Sequence, residues 1–242
     1  MGKKFELTEN YVVNELGTKL YQIKCTKTFK YAKKGELGGF IEKEENLSQE
    51  GDAWVSGDAW VSGDARVFGD ARVYGDAWVF GDARVYGDAW VFGDAWVYGD
   101  AWVSGDARVY GYAWVSGDAW VSGDARVYGD AWVFGDARVS GDARVLGDAC
   151  LKSDADHCGF DCFGSSNRHT HAYLTRDNTV EITCGCFRGS IEEFEKKVKN
   201  THTGTVYENQ YNAIINVIKI KFGSAQRQNR QVFFVKKLLS RN

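Results

Sequence analysis

The chain has 242 residues, a formal net charge of −3, 28 Gly, 9 Trp and no Pro. That length suits one or two domains, and the lack of Pro beside abundant Gly excludes collagen, polyproline linkers and most low-complexity disorder. The charged (26%) and aromatic (14%) fractions are those of a folded chain, and no run of 18 apolar residues offers a membrane-spanning helix.

Three unlike blocks follow one another. Residues 1–50 carry 9 Lys and 8 Glu and read as a small β-rich cap. Leu20-Tyr21-Gln22-Ile23-Lys24-Cys25 alternates like a strand, and Gly35 and Gly38-Gly39 read as punctuation. Ile41 and Leu47, six apart, look like a first irregular coil. The Met1-Gly2-Lys3-Lys4 start lacks the apolar stretch of a secretory signal, so a reducing, cytoplasmic setting is expected.

Residues 51–158 are built on a period of six. From Gly51 to Leu146 the unit Gly-Asp-Ala-(Trp or Arg)-Val-x repeats sixteen times, broken in its Gly-Asp pair only at Gly111-Tyr112. The next unit, Gly147 to Lys152, is altered, and Ser153 to Cys158 keeps only Asp154 and Ala155. Six matches no helical period. Ala and Val, two apart, share one side of an extended strand, while Gly-Asp supplies a tight turn. The block holds all nine Trp, and residues 51–152 carry a charge balance of −8.

This unit resembles the left-handed parallel β-helix of the hexapeptide-repeat family, in which three units make one triangular coil of 18 residues. The resemblance implies a mainly β fold of about five to six coils, roughly 25–30 Å tall at strand spacing. Val and Ala then fill the interior, and residues 18 apart stack.

Stacking sorts the outward residues into columns. One face carries Trp60, Trp78, Trp96, Trp114 and Trp132, then Cys150, with Ser62, Phe80, Tyr98, Ser116 and Phe134 alongside. A second carries Trp54, Arg72, Trp90, Arg108, Arg126 and Arg144, and the third Arg66, Arg84, Trp102, Trp120, Arg138 and Asp156. Indoles and guanidinium groups at this spacing can stack within the chain. An unbroken Trp wall also points to burial against something else. Members of the family are typically trimers packed along their axes, so the resemblance implies a homotrimer burying this face; docked terminal modules or a partner protein are the alternatives. The three Asp columns read as turn formers rather than cation sites.

Residues 159–242 read as an α+β module with two helices and a basic tail. His171–Leu174 and Thr179–Thr183 form a predicted hairpin around Asp177-Asn178. Ser190-Ile191-Glu192-Glu193 and Thr205-Val206-Tyr207-Glu208 are capping boxes, with Ile191, Phe194 and Val198 on one helix face. Tyr207, Tyr211, Ile214, Ile215, Ile218 and Phe222 follow at helical spacing, and Gly223 suits a helix stop. Lys219, Lys221, Arg227, Arg230, Lys236, Lys237 and Arg241 make a run without acid. Such a run can bind nucleic acid or phosphates, but the acidic middle block opposes nucleic acid, and a solvated tail or one packed on the chain's own solenoid is the simpler expectation.

The segment Gly185–Phe194, with Thr201-His202 downstream, resembles the tail module of hexapeptide-repeat proteins of bacterial viruses and prophages. Gly38–Ser48 looks like their lead-in segment. These resemblances imply a viral or prophage protein acting in a bacterial host.

Candidate chemistry is sparse. A hexapeptide-type acyltransferase would need a general-base His and a loop protruding from the coils, but His157, His169, His171 and His202 all follow the repeat and no loop interrupts it. Cys158-x3-Cys162 with Cys184-x-Cys186, His157 or His169 substituting, could hold Zn²⁺; disulfides and free thiols are the alternatives. Cys186, just before a capped helix, could be a reactive thiol paired with His171 or His202. Two function classes therefore stand. One is a non-enzymatic trimeric scaffold contacting a host protein. The other is a counter-defence protein sequestering a host nucleotide signal, with Arg108, Arg126 and Arg144 as the longest basic column. No cofactor is expected beyond that Zn²⁺ alternative.

Overall fold

The computed structural model describes residues 2–239, with side chains described to residue 223. The side chains of Arg227, Arg230, Lys236 and Lys237, and the whole of Arg241, lie outside the described residues. The chain forms two compact units, Met1–Asp148 and Ala149–Asn242.

The first unit is a parallel β-solenoid with an 18-residue coil. The short strand at each Trp/Arg-Val pair lies in register with the strand 18 residues on: Trp60 with Trp78, Trp90 with Arg108, Trp102 with Trp120. Backbone N–H groups donate to carbonyls one coil further, as Trp60 to Ala77 (2.9 Å) and Ser62 to Val79 (3.0 Å). Every repeat Ala and Val is buried. The corner glycines have φ near +65°, and at Gly87 an added Cβ would sit 3.0 Å from the Gly105 nitrogen above it. Both the turn and the close approach of stacked coils therefore exclude a side chain there.

A stack of parallel coils leaves the carbonyls of its first coil without donors. The N-terminal segment supplies them. Strands β1 (Phe5–Val13) and β2 (Lys19–Cys25) pair antiparallel, β2 pairs with β3 (Leu37–Ile41), and β3 runs parallel to the Trp60 strand. On that face Phe40 and Glu42 donate backbone N–H groups to the Ala59 and Val61 carbonyls. On a second face the buried Asn46 side-chain amide reaches the Gly63 and Ala65 carbonyls at 3.0 and 2.9 Å. On the remaining face Lys4 Nζ lies 2.9 Å from the Ala53 carbonyl and 3.3 Å from those of Glu50 and Gly51. Burial pulls the Lys4 ammonium down to about 8, which still leaves it the charged donor at neutral pH.

Gly38 and Gly39 differ from their expected role. They lie inside β3, where added Cβ atoms would come within 2.6 Å of the Val55 carbonyl and 2.7 Å of the Ala59 carbonyl. They are glycine because the cap presses on the first coil, not because the chain turns. The expected coil residues Ile41 and Leu47 are buried and pair with Val61 and Val67.

The second unit is a four-stranded antiparallel sheet with two helices. His157–Phe163 pairs with Arg168–Leu174, which pairs with Val180–Cys184, which pairs with Phe187–Gly189. Helix α1 (Ile191–His202) begins with the expected box: Ser190 Oγ accepts from the Glu193 N–H, and Glu193 accepts from the Ser190 N–H. Ile191, Phe194 and Val198 join Ala172, Ile182, Ile214 and Ile218 in its core. Helix α2 spans Val206–Leu239 and runs through Gly223. The expected stop fails because Gly223 keeps negative φ and no Pro follows, so nothing but a modest propensity cost opposes continuation. At the start of α2 the second box is altered, for Glu208 accepts from the Gly204 N–H (2.7 Å) rather than from Thr205.

Lys4→Met keeps the aliphatic bulk and removes the donor. We expect a loss of about 2–3 kcal/mol for the unsatisfied carbonyls, read as a lower urea midpoint at unchanged slope. An unchanged midpoint would mean that water reaches those carbonyls and Lys4 is not the plug.

Candidate functional site

The five-Trp column is a continuous stack. Ring centroids from Trp60 to Trp132 are 4.7, 4.9, 5.2 and 5.2 Å apart, with interplanar angles of 4–11°. Those spacings fall in the range of favourable offset stacking. Ring faces are spent on one another, and the edges of these half-buried indoles make up the surface. The neighbouring column is uneven. Phe80 stacks on Tyr98 at 4.9 Å, but the small Ser62 and Ser116 leave two hollows. One, about 250 Å³, is lined by Trp60, Trp78, Trp96, Phe80 and the β1–β2 turn residues Asn14 to Leu16. The other, about 180 Å³, lies among Tyr98, Trp114, Trp132 and Phe134. Leu16, at the turn tip, is 90% exposed. Tyr112, the one replacement in the Asp columns, is 63% exposed and belongs to the same unit as Trp114 and Ser116.

The Arg residues are partly occupied. Arg72 and Arg108 flank the Trp90 ring from below and above at 5.0 and 4.8 Å, and Arg84 lies 4.9 Å from Trp102. Arg108, Arg126 and Arg144 do stack in register. Beside them runs a column that sequence reading passed over: Tyr74, Phe92, Tyr110 and Tyr128, with centroids 4.8 to 4.9 Å apart. The 18-residue sorting that exposed the Trp column would have found it too. Trp54 is buried under Phe29, with its Nε1–H unpartnered.

The five cysteines of the second unit are free, as is Cys25 in the first. Cys158 is half-buried, and burial pushes its thiol up to about 11. Cys162 and Cys186 are exposed and Cys184 is buried. Among the described residues no three His, Cys, Asp or Glu side chains converge as a metal site would require. Cys186 is not at the helix N-terminus: it sits with Gly185 (φ +60°) in the tight turn joining Val180–Cys184 to Phe187–Gly189, a strand away from α1.

His171 is no partner for Cys186. Residues 169, 171 and 173 alternate onto one face of the sheet, opposite the helices that cover Ala172. There His157 Nδ1 and His171 Nε2 share a hydrogen bond of 3.0 Å, and His169 Nδ1 meets Asp161 at 2.5 Å. Tyr173 donates to Glu181, which also pairs with Arg188. Nε2 of His157 and of His169 are buried without a hydrogen-bond partner.

His202 and Cys186 do share a setting. They line a cavity of about 180 Å³ with Ser165, Ser166, Arg168, Cys184, Phe187, Phe194, Lys197, Val198, Thr201 and Tyr211. The Tyr211 ring stacks on His202 (5.3 Å), and burial pushes its hydroxyl up to about 12. Cys186, Phe187, Phe194, Thr201 and His202, five residues of the stretch singled out in the sequence, thus line one hollow.

The YdcK beta solenoid repeat family matches residues 65–81, 83–99, 101–117 and 119–135, one match per coil. The protein is a repeat β-solenoid protein, similar to that family over these four coils. No curated protein matches the chain. Among the described residues no helix is long and apolar enough to cross a membrane.

Burial holds His157 below the ordinary value of 6.5, outweighing the opposing pull of Asp154 and Asp156 and aided by Lys221. The unfolded chain takes up a proton near 6.5 that the folded one refuses, so stability is full above that pH and declines below it. Urea unfolding followed by helical circular dichroism should show a lower midpoint at about pH 5.5 than at about pH 7.5, with a smaller difference in His157→Asn. Equal differences in the two proteins would remove His157 from the account.

Proposed function

We propose that the protein is a non-enzymatic, homotrimeric β-solenoid scaffold of viral or prophage type, assembled through its Trp face in the cytoplasm of a bacterial host. The observation that carries this reading is the uncharged strip of five stacked indole edges, flanked by hollows at Ser62 and Ser116. Stacking within the chain accounts for the ring faces but leaves the edges and the hollows. From Trp60 to Phe134 neither the Trp column nor the column beside it contains a charged side chain. Charge depletion with aromatic enrichment is the composition of an interface core. Leu16 would seat in the same contact, since it lines the hollow at Ser62 and is otherwise exposed. The threefold number rests on the resemblance to hexapeptide-repeat proteins, and the viral setting on the segments Gly38–Ser48 and Gly185–Phe194.

The test is solution mass by light scattering. Wild type should weigh three times the 27.0 kDa of one chain. Trp60→Ser, Trp78→Ser and Trp96→Ser together should lower that mass, while Trp102→Ser with Trp120→Ser on another face should not. A triple variant that keeps the solenoid's circular dichroism and the wild-type mass would remove this face as the interface.

A further inference from the structure

The cavity of the second unit has a consistent chemical gradient. Its floor is buried and mostly apolar or aromatic: Cys184, Phe194, Val198 and Tyr211. Its rim is exposed and carries cations and hydroxyls, Arg168, Lys197, Ser165, Ser166 and Thr201, together with the exposed Cys186. No carboxylate lines it. The two cations come from different elements, Arg168 from the strand Arg168–Leu174 and Lys197 from α1. Neither makes a salt bridge among the described residues.

Two backbone features serve this arrangement. Gly185 has φ +60°, which favours glycine, and an added Cβ there would fall 2.6 Å from Arg168 Nη1, so the guanidinium lies close against the glycine. An added Cβ at Gly164 would overlap the Tyr211 hydroxyl at 2.0 Å, so that ring reaches the cavity only past a glycine. Tyr211 stays protonated at neutral pH and can donate a hydrogen bond from the floor.

We propose that this cavity binds a small organic anion, a carboxylate or phosphate monoester carrying a single ring, with the ring on the aromatic floor and the anionic group between Arg168 and Lys197. Size supports one ring: a cavity of about 150 Å³ accepts benzene, and this one measures about 180 Å³. Like charges brought to one rim without an acid between them favour an anion there. Exposed cations alone bind weakly, so ring burial supplies the affinity and the cations select charge. The site is independent of the Trp face.

The experiment uses the full chain and four probes: phenyl phosphate, benzoate, phenol and benzyl alcohol. Calorimetry should show saturable, one-to-one binding of phenyl phosphate or benzoate, at least tenfold tighter than phenol or benzyl alcohol respectively. The two anions distinguish a dianion from a monoanion site. Arg168→Gln and Lys197→Gln should each weaken the bound anion at least threefold without shifting the melting temperature of the free protein. The bound anion should also slow alkylation of Cys186 by iodoacetamide while leaving Cys162 unchanged. The proposal is overturned if no anion binds saturably up to about 10 mM, if the neutral analogues bind as well, or if both variants bind like wild type. Failure of the Trp-face variants to change mass would leave this outcome untouched, because calorimetry reads only the second unit's cavity.

Discussion

Everything in the first unit depends on one constraint: residue i must tolerate residue i+18 directly above it at strand spacing. Inside the solenoid this limits side chains to Ala and Val, since anything larger would have to fit in every coil. At the corners it forbids a Cβ, because the turn needs positive φ and the next glycine nitrogen is already in contact. Along the strands it requires a backbone donor at nearly every position, which Pro cannot supply. Outside, it forces every side chain into a column, where like aromatics, or aromatics with guanidinium groups, make favourable neighbours.

The same constraint makes the first coil a problem, and three unrelated solutions meet there. One face is closed by backbone, through β3. Another is closed by an amide, Asn46. The last is closed by an ammonium, Lys4, held in a buried place where its charge is costly and its hydrogen bonds repay the burial. The glycine pair Gly38-Gly39 is what lets β3 come close enough. Cap and repeat are therefore one hydrogen-bonded object, although their compositions share almost nothing.

Local periodic features could be read from the chain in advance; features made by a single distant pairing could not. The six-residue unit announces the 18-residue coil, the inward Ala and Val, and the Trp column, because each is written many times over. The Ser190 box and the hairpin around Asp177-Asn178 are equally visible, being complete within a few residues. Nothing near Lys4 or Asn46 marks them as plugs, since their partners lie some 17 to 49 residues away. Gly38-Gly39 looked like a turn because proximity to another chain segment leaves no local trace. Gly223 looked like a stop because a glycine is equally at home in either conformation. The cavity of the second unit was half legible: Gly185–Phe194 and Thr201-His202 stand out in the sequence, but Arg168 and Tyr211 come from elsewhere in the chain and join them only in the folded module.

The interior of the solenoid has a further consequence. Its lining is the same in every unit, so the core holds no information about which coil is which. Any hexapeptide could lie beneath the cap with the same apolar contacts. Position along the axis is encoded only on the outside, in the order of Trp and Arg and in the alternation of Ser with Phe and Tyr. The aromatic and guanidinium columns thus act as an index. They distinguish one winding from others whose cores are degenerate, a task that in most folded proteins belongs to the packing inside.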